Sequence, residues 1–316
     1  MVAPSGGAAA RYPSRLDRGV AALRDLGFEP VVMPHACHDA GLVSSPVEDR
    51  LADLHAAYAD DTVAGIVTTV GGHGAAQLLA GLDYDLIASN PKVFCGYSDT
   101  TALHAAIGRH CRAVSFYGPS VMADFADWPA PHPGTTAWWS KAVSGPDPLG
   151  SVPGWDQIAT GTTDWAIAES RRFTTAPPPR VLRPGRGEGP LAGGCLPVLC
   201  ELLGTPWGPE LRGTIAVVET PGDTYGVGQA LSDLTHLRNA GMLDSLAGLV
   251  IGWPGDLGHL PELAAIAAEA TRGTAYPVLL GAAVGHSQPK LTIPLGCRAR
   301  LDGDHLTVLE AGVAVP

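Results

Sequence analysis

Val93-Phe94-Cys95-Gly96-Tyr97-Ser98-Asp99-Thr100-Thr101-Ala102-Leu103 is the stretch whose reading decides the fold. Its apolar start, Val93 to Gly96, predicts a strand, and residues 100–110 predict a helix. Ser98 stands at the turn between them. A serine there is lifted above a sheet, and the N–H of the next residue sits at a helix N-terminus, where it can stabilise an oxyanion. The match to a G-x-S-x-G elbow is incomplete, because Thr100 replaces the second glycine. Helix capping by Ser98 or Asp99 fits the same pattern.

Upstream, the β-branched run 63–70 leads into Gly71-Gly72-His73-Gly74 and then a helix-like AAQLLAGL. This second strand–turn–helix unit brings a glycine turn to the same sheet edge as Ser98 if the strands run parallel. Taken alone, such a turn also suits a phosphate, although no P-loop or full G-x-G-x-x-G is present. Residues 15–27 predict a helix stopped by Gly27, Phe28–Met33 a strand, and 46–59 another amphipathic helix. The alternation predicts a parallel sheet flanked by helices, as in Rossmann or flavodoxin-like α/β domains.

Residues 125–190 are rich in Pro and Gly and hold five of the seven tryptophans. They predict irregular structure and a crossover. Beyond them, strands are expected at 214–219, 247–252 and 277–281. Helices are expected between the first two strands and at 261–271, with a terminal hairpin at 298–309. The expected organisation is a domain at 1–165, a linker at 166–186, and a smaller mixed β/α domain at 187–316.

The chain of 316 residues carries a net charge of −11, with 46% hydrophobic and 16% charged residues. A negative surface with no basic run argues against nucleic-acid and anionic-membrane partners. The six scattered cysteines predict free thiols in a reducing cytoplasm. His35-Ala36-Cys37-His38 predicts a surface loop, since no second ligand cluster follows it, so neither metal nor cofactor is expected. The N-terminus lacks the basic and apolar regions of a signal peptide, and no apolar run is long enough to span a membrane.

An activated serine needs a base, and the base needs a carboxylate. Among eleven histidines, His286 stands out, in the loop Gly285-His286-Ser287-Gln288-Pro289 after a buried strand. Glu219 ends the apolar strand Ile215-Ala216-Val217-Val218. A structural histidine and a turn-capping glutamate fit these positions as well.

Here the chain resembles the LD-carboxypeptidase family of serine peptidases, closest to its microcin C self-immunity group. The resemblance rests on Thr69-Val70-Gly71-Gly72, Leu82 to Ile87, Asn90-Pro91-Lys92 through Leu103, and Phe116-Tyr117-Gly118-Pro119. It continues in Leu191 to Leu196, Gly204-Thr205-Pro206-Trp207, the Glu219 strand, and His286 through Gly296. These pieces run in family order over almost the whole chain. The resemblance implies a Ser-Glu-His triad of Ser98, Glu219 and His286. It also implies an oxyanion hole from the N–H groups of Gly72 and Asp99, an amidotransferase-like N-terminal domain, and a homodimer. Expected substrates are peptidyl or aminoacyl nucleotides, with His73 and Trp165 as candidate contacts. Murein tetrapeptide is the alternative substrate, and an inactive binding protein the alternative class. Two departures stand out: a first strand that is nearly missing, and Cys195 where the family usually has asparagine.

Overall fold

The computed structural model describes residues 1–222 and 225–314. Three short parallel strands, Gly65–Val67, Val93–Gly96 and Ser115–Tyr117, form the N-terminal sheet. Their register places Val67 beside Cys95, and Cys95 beside Phe116, so the carboxyl ends of the first two strands lie at one edge. The glycine turn and Ser98 both emerge there. The helix Thr101–Cys111 follows and buries Ala102, Leu103, Ala106 and Ile107, the spacing of one helical face.

The second sheet has eight strands. Arg186–Cys195, Ile215–Glu219, Gly248–Gly252 and Val278–Ala282 run parallel at its centre. Ile215–Glu219 and Gly248–Gly252 are buried at every position, which accounts for their continuous apolar runs. The helices Val227–Asn239 and Leu260–Ala270 pack on each other as crossovers. The terminal hairpin, Arg298–Asp302 with His305–Val308, extends the sheet antiparallel from Arg186–Cys195.

The two sheets exchange strands. Ile293–Leu295, late in the chain, pairs antiparallel with Ser115–Tyr117 in the N-terminal sheet. Gly150–Ser151 pairs with His305–Val308 in the C-terminal one. Arg180–Arg183, from the expected linker, closes the far edge against Val278–Ala282. The C-terminal sheet, expected to belong to the smaller domain, is the larger of the two, with eight strands against four.

Three expectations need correction. Phe28–Met33 is not a strand. Pro30 removes a donor there, and the segment's backbone partner is Met1, which donates to Val31 and accepts from Met33. Val2 adds a single parallel bridge to Thr68. The region 125–190 is not wholly irregular either, since Pro133–Ser144 is a helix. Its buried Thr135, Trp138, Trp139 and Ala142 follow i, i+3, i+4, i+7, a signal masked by the surrounding Pro and Gly. Residues 75–81 form a 3-10 rather than an α-helix.

The returning strand should hold the two sheets together. Ile293 is fully buried, so Ile293→Ala should lower unfolding free energy by about 2–5 kcal/mol. Urea denaturation measures this, and a change below about 1 kcal/mol would show that this strand does not stabilise the assembly.

Candidate active site

Ser98 has φ +64°, one of two non-glycine residues with positive φ among those described. That conformation is costly for an L-residue and persists only where surrounding structure imposes it. Gly71 is part of the imposition, because a Cβ there would lie 2.7 Å from Ser98 Cβ. The side chain of Asp99 turns away from the serine. It accepts from Ser5 Oγ at 2.6 Å and from the Ala75 N–H at 2.8 Å, tying the glycine turn to the serine turn. Burial pushes its carboxyl upward despite these bonds.

Glu219 comes from the end of its strand and is fully buried. Its Oε2 lies 2.9 Å from His286 Nδ1, and its Oε1 accepts from the Tyr117 hydroxyl at 2.6 Å. That hydroxyl in turn accepts from the Ser98 N–H at 3.1 Å. A continuous hydrogen-bonded chain therefore runs from the serine backbone through Tyr117 and Glu219 to His286. Burial opposes ionisation of Glu219, but His286, Tyr117 and Lys290 outweigh it and hold its pKa below the ordinary carboxylate range. Gly285 makes the approach possible, since a Cβ there would fall 2.3 Å from Glu219 Cδ. The Tyr97 ring packs edge-on against the imidazole at 4.9 Å.

Ser98, Gly72 and His286 line one cavity of about 190 Å³ with Tyr97, Trp165, Arg171 and Lys290. Trp165 is partly buried against Tyr12, with the Arg15 guanidinium 4.7 Å above its ring. His73 does not line this cavity. Its side chain is exposed, because the left-handed Gly72 and Gly74 on either side swing it outward. His104 is held between Ser115 Oγ and the Gly96 carbonyl, and burial lowers its pKa to about 4. His35 pairs with Asp53 at 2.8 Å, and no cluster of three metal-binding side chains occurs among the described residues. All six cysteines are free, and no described helix is long and apolar enough to cross a membrane.

Cys195 is buried and lies in register beside Glu219 on the neighbouring strand. Burial and the adjacent carboxylate push its thiol pKa well up, so it stays protonated. Tyr117, Gly285 and Lys290 were not singled out from sequence. Tyr117 was visible only within Phe116-Tyr117-Gly118-Pro119, and nothing local pairs it with a carboxylate 102 residues away.

A strained serine and a carboxylate-held imidazole line one cavity, and the likeness to known proteins makes the chain a serine-type carboxypeptidase. Residues 1–118 match the LD-carboxypeptidase N-terminal domain and residues 188–301 the LD-carboxypeptidase C-terminal domain. A carboxypeptidase-named protein of Streptomyces coelicolor is 32% identical over 310 residues, 96% of this chain and 90% of that one. The chain belongs to the LD-carboxypeptidase family. It is also 28% identical to the "Probable murein peptide carboxypeptidase" of Bacillus subtilis, over 96% of this chain and 89% of the relative. The Escherichia coli microcin C7 self-immunity protein MccF is 27% identical over 93% of this chain and 87% of its own. MccF in complex with aspartyl sulfamoyl adenosine superposes with a TM-score of 0.91 at 25% identity, covering 99% and 96% of the two chains.

The lowered pKa of Glu219 has a consequence for stability. Its contribution is fully present above its unfolded value of about 4.3 and is lost as pH falls through the lower folded value. Wild type should therefore lose stability below about pH 4 more steeply than Glu219→Gln. Urea midpoints across pH measure this, and parallel acid limbs for the two proteins would refute it.

Proposed function

We propose that Ser98, Glu219 and His286 act as a Ser-Glu-His triad that hydrolyses amide bonds in small peptidyl or aminoacyl conjugates. The observation that carries this reading is the hydrogen-bonded chain through Tyr117, which links the turn bearing the strained serine to the base and its carboxylate. Glu219 on Nδ1 favours the tautomer with the proton there, leaving Nε2 to accept the serine proton. The Ser98 oxygen then attacks the substrate carbonyl. The N–H groups of Gly72 and Asp99 take the developing oxyanion, each worth about 3–4 kcal/mol by analogy with measured donors. Collapse expels the amine, protonated by His286, and leaves an acyl-enzyme. Water activated by the same imidazole then releases the acid.

The substrate class favoured is a microcin C-like aminoacyl nucleotide. Trp165 at the cavity wall can stack on a base, a contact worth about 1–3 kcal/mol. The likeness to MccF bound to aspartyl sulfamoyl adenosine supports the same reading. The resemblance to the Bacillus subtilis murein peptide relative favours a second one, removal of a terminal D-amino acid from cell-wall peptide. The family resemblance supports a cytoplasmic homodimer.

Ser98→Ala should lower kcat on the order of a million-fold with the fold retained. Full activity in that variant would eliminate the triad. Wild type should release product from an aminoacyl sulfamoyl adenosine. Turnover of a murein tetrapeptide alone would transfer the assignment to cell-wall peptide.

A further inference from the structure

Beside the serine, the cavity floor is built from buried charged groups with an excess of donors. Lys290 is 2% exposed and sits 2.7 Å from Asp124 Oδ1, itself 1% exposed. Gln288 donates to the same oxygen, and the Ser120 N–H occupies Asp124 Oδ2 at 2.7 Å. Arg171, 12% exposed, pairs with one oxygen of Asp127 while Arg15 takes the other. Both carboxylates thus have both oxygens engaged. Among the described residues of this floor, Arg15, Arg171 and Lys290 face Asp124 and Asp127, and Lys290 also feels the charge of Glu219.

The cations keep unspent capacity. Lys290 carries three donors and meets one carboxylate. Its ammonium also lies 3.1 Å from the centroid of the Tyr97 ring, whose edge-on neighbour is His286. One aromatic ring therefore separates this cation from the imidazole. Arg171 donates to Asp127 and to the carbonyls of Gly161 and Ala123, leaving further N–H groups of its five-donor fork at the cavity wall. Buried N–H donors left without acceptors are costly unless a ligand completes them.

We propose that Lys290 and Arg171 form an anion subsite, which holds an oxyanion borne on the leaving side of the scissile amide, within three bonds of its nitrogen. A C-terminal α-carboxylate has this chemistry, and so does a phosphoryl group attached to the amide nitrogen. The subsite rests on the hydrolase reading above and deepens it. It makes a negative charge near the scissile nitrogen, rather than a particular acyl side chain, the feature the cavity selects.

The test uses the full chain and the rate at which a fluorophosphonate labels Ser98. Two matched pairs compete at equal concentration: N-acetyl-D-alanine with its carboxamide, and adenosine monophosphate with adenosine. The charged member of at least one pair should slow labelling at least about tenfold more than its neutral partner, the scale of charge-assisted hydrogen bonds. Response to the alanine pair marks a peptide carboxylate, and response to the nucleotide pair a phosphoryl oxygen. In Lys290→Gln and Arg171→Gln, charged and neutral members should act alike. Equal effects of charged and neutral members in wild type would overturn the subsite. So would charge discrimination retained in both variants. A wild-type protein that does not label at all would instead overturn the triad beneath it.

Discussion

The site depends on a buried carboxylate that has to stay ionised. Glu219 has no exposed surface, and removing a charge from water costs several kcal/mol unless partners replace the hydration. Tyr117 and His286 are those partners, one on each oxygen. Each comes from a different part of the fold. Tyr117 ends a strand of the N-terminal sheet, Glu219 ends a strand of the C-terminal sheet, and His286 follows the next strand but one in that sheet. The ion is therefore satisfied only when the two sheets are docked.

The same constraint explains the glycines around it. Gly285 leaves room for the carboxylate to reach the imidazole, and Gly252 keeps the neighbouring strand close, where a Cβ would meet Glu219 Cβ at 3.0 Å. Gly71 performs the matching role on the serine side. Compactness here serves geometry: each missing Cβ leaves room for Ser98 or Glu219 to pack against the neighbouring backbone. The returning strand Ile293–Leu295 fixes the docking by placing the His286 segment between the two sheets.

The cavity's polar floor follows a different logic from the cluster of Ser98, Glu219 and His286. Lys290, Arg171 and Arg15 with Asp124 and Asp127 form a buried network whose carboxylates are saturated and whose cations are not. Tyr97 separates the two regions, its ring touching the Lys290 ammonium and the His286 imidazole. The residue that precedes the serine in sequence thereby touches both His286 and the charged floor.

Sequence alone determined the parallel α/β architecture, the strand Val93–Gly96 to the residue, and the helix that follows it. Local periodicity carries that information, because strands and helices bury faces at fixed spacings. Ser98, Glu219 and His286 were picked out as strand-end residues, but their meeting came from family resemblance, since pattern leaves chain-distant contacts open. Only the tertiary structure decided the rest. Phe28–Met33 lost its strand for want of a sheet partner, and the helix Pro133–Ser144 formed where composition pointed to a loop. His73 faced solvent, Tyr117 became the link between the Ser98 turn and Glu219, and Lys290 came to rest on the Tyr97 ring. The physical reason is common to all of these: pairing and burial of charge depend on which distant segments pack together, and no local spacing encodes that.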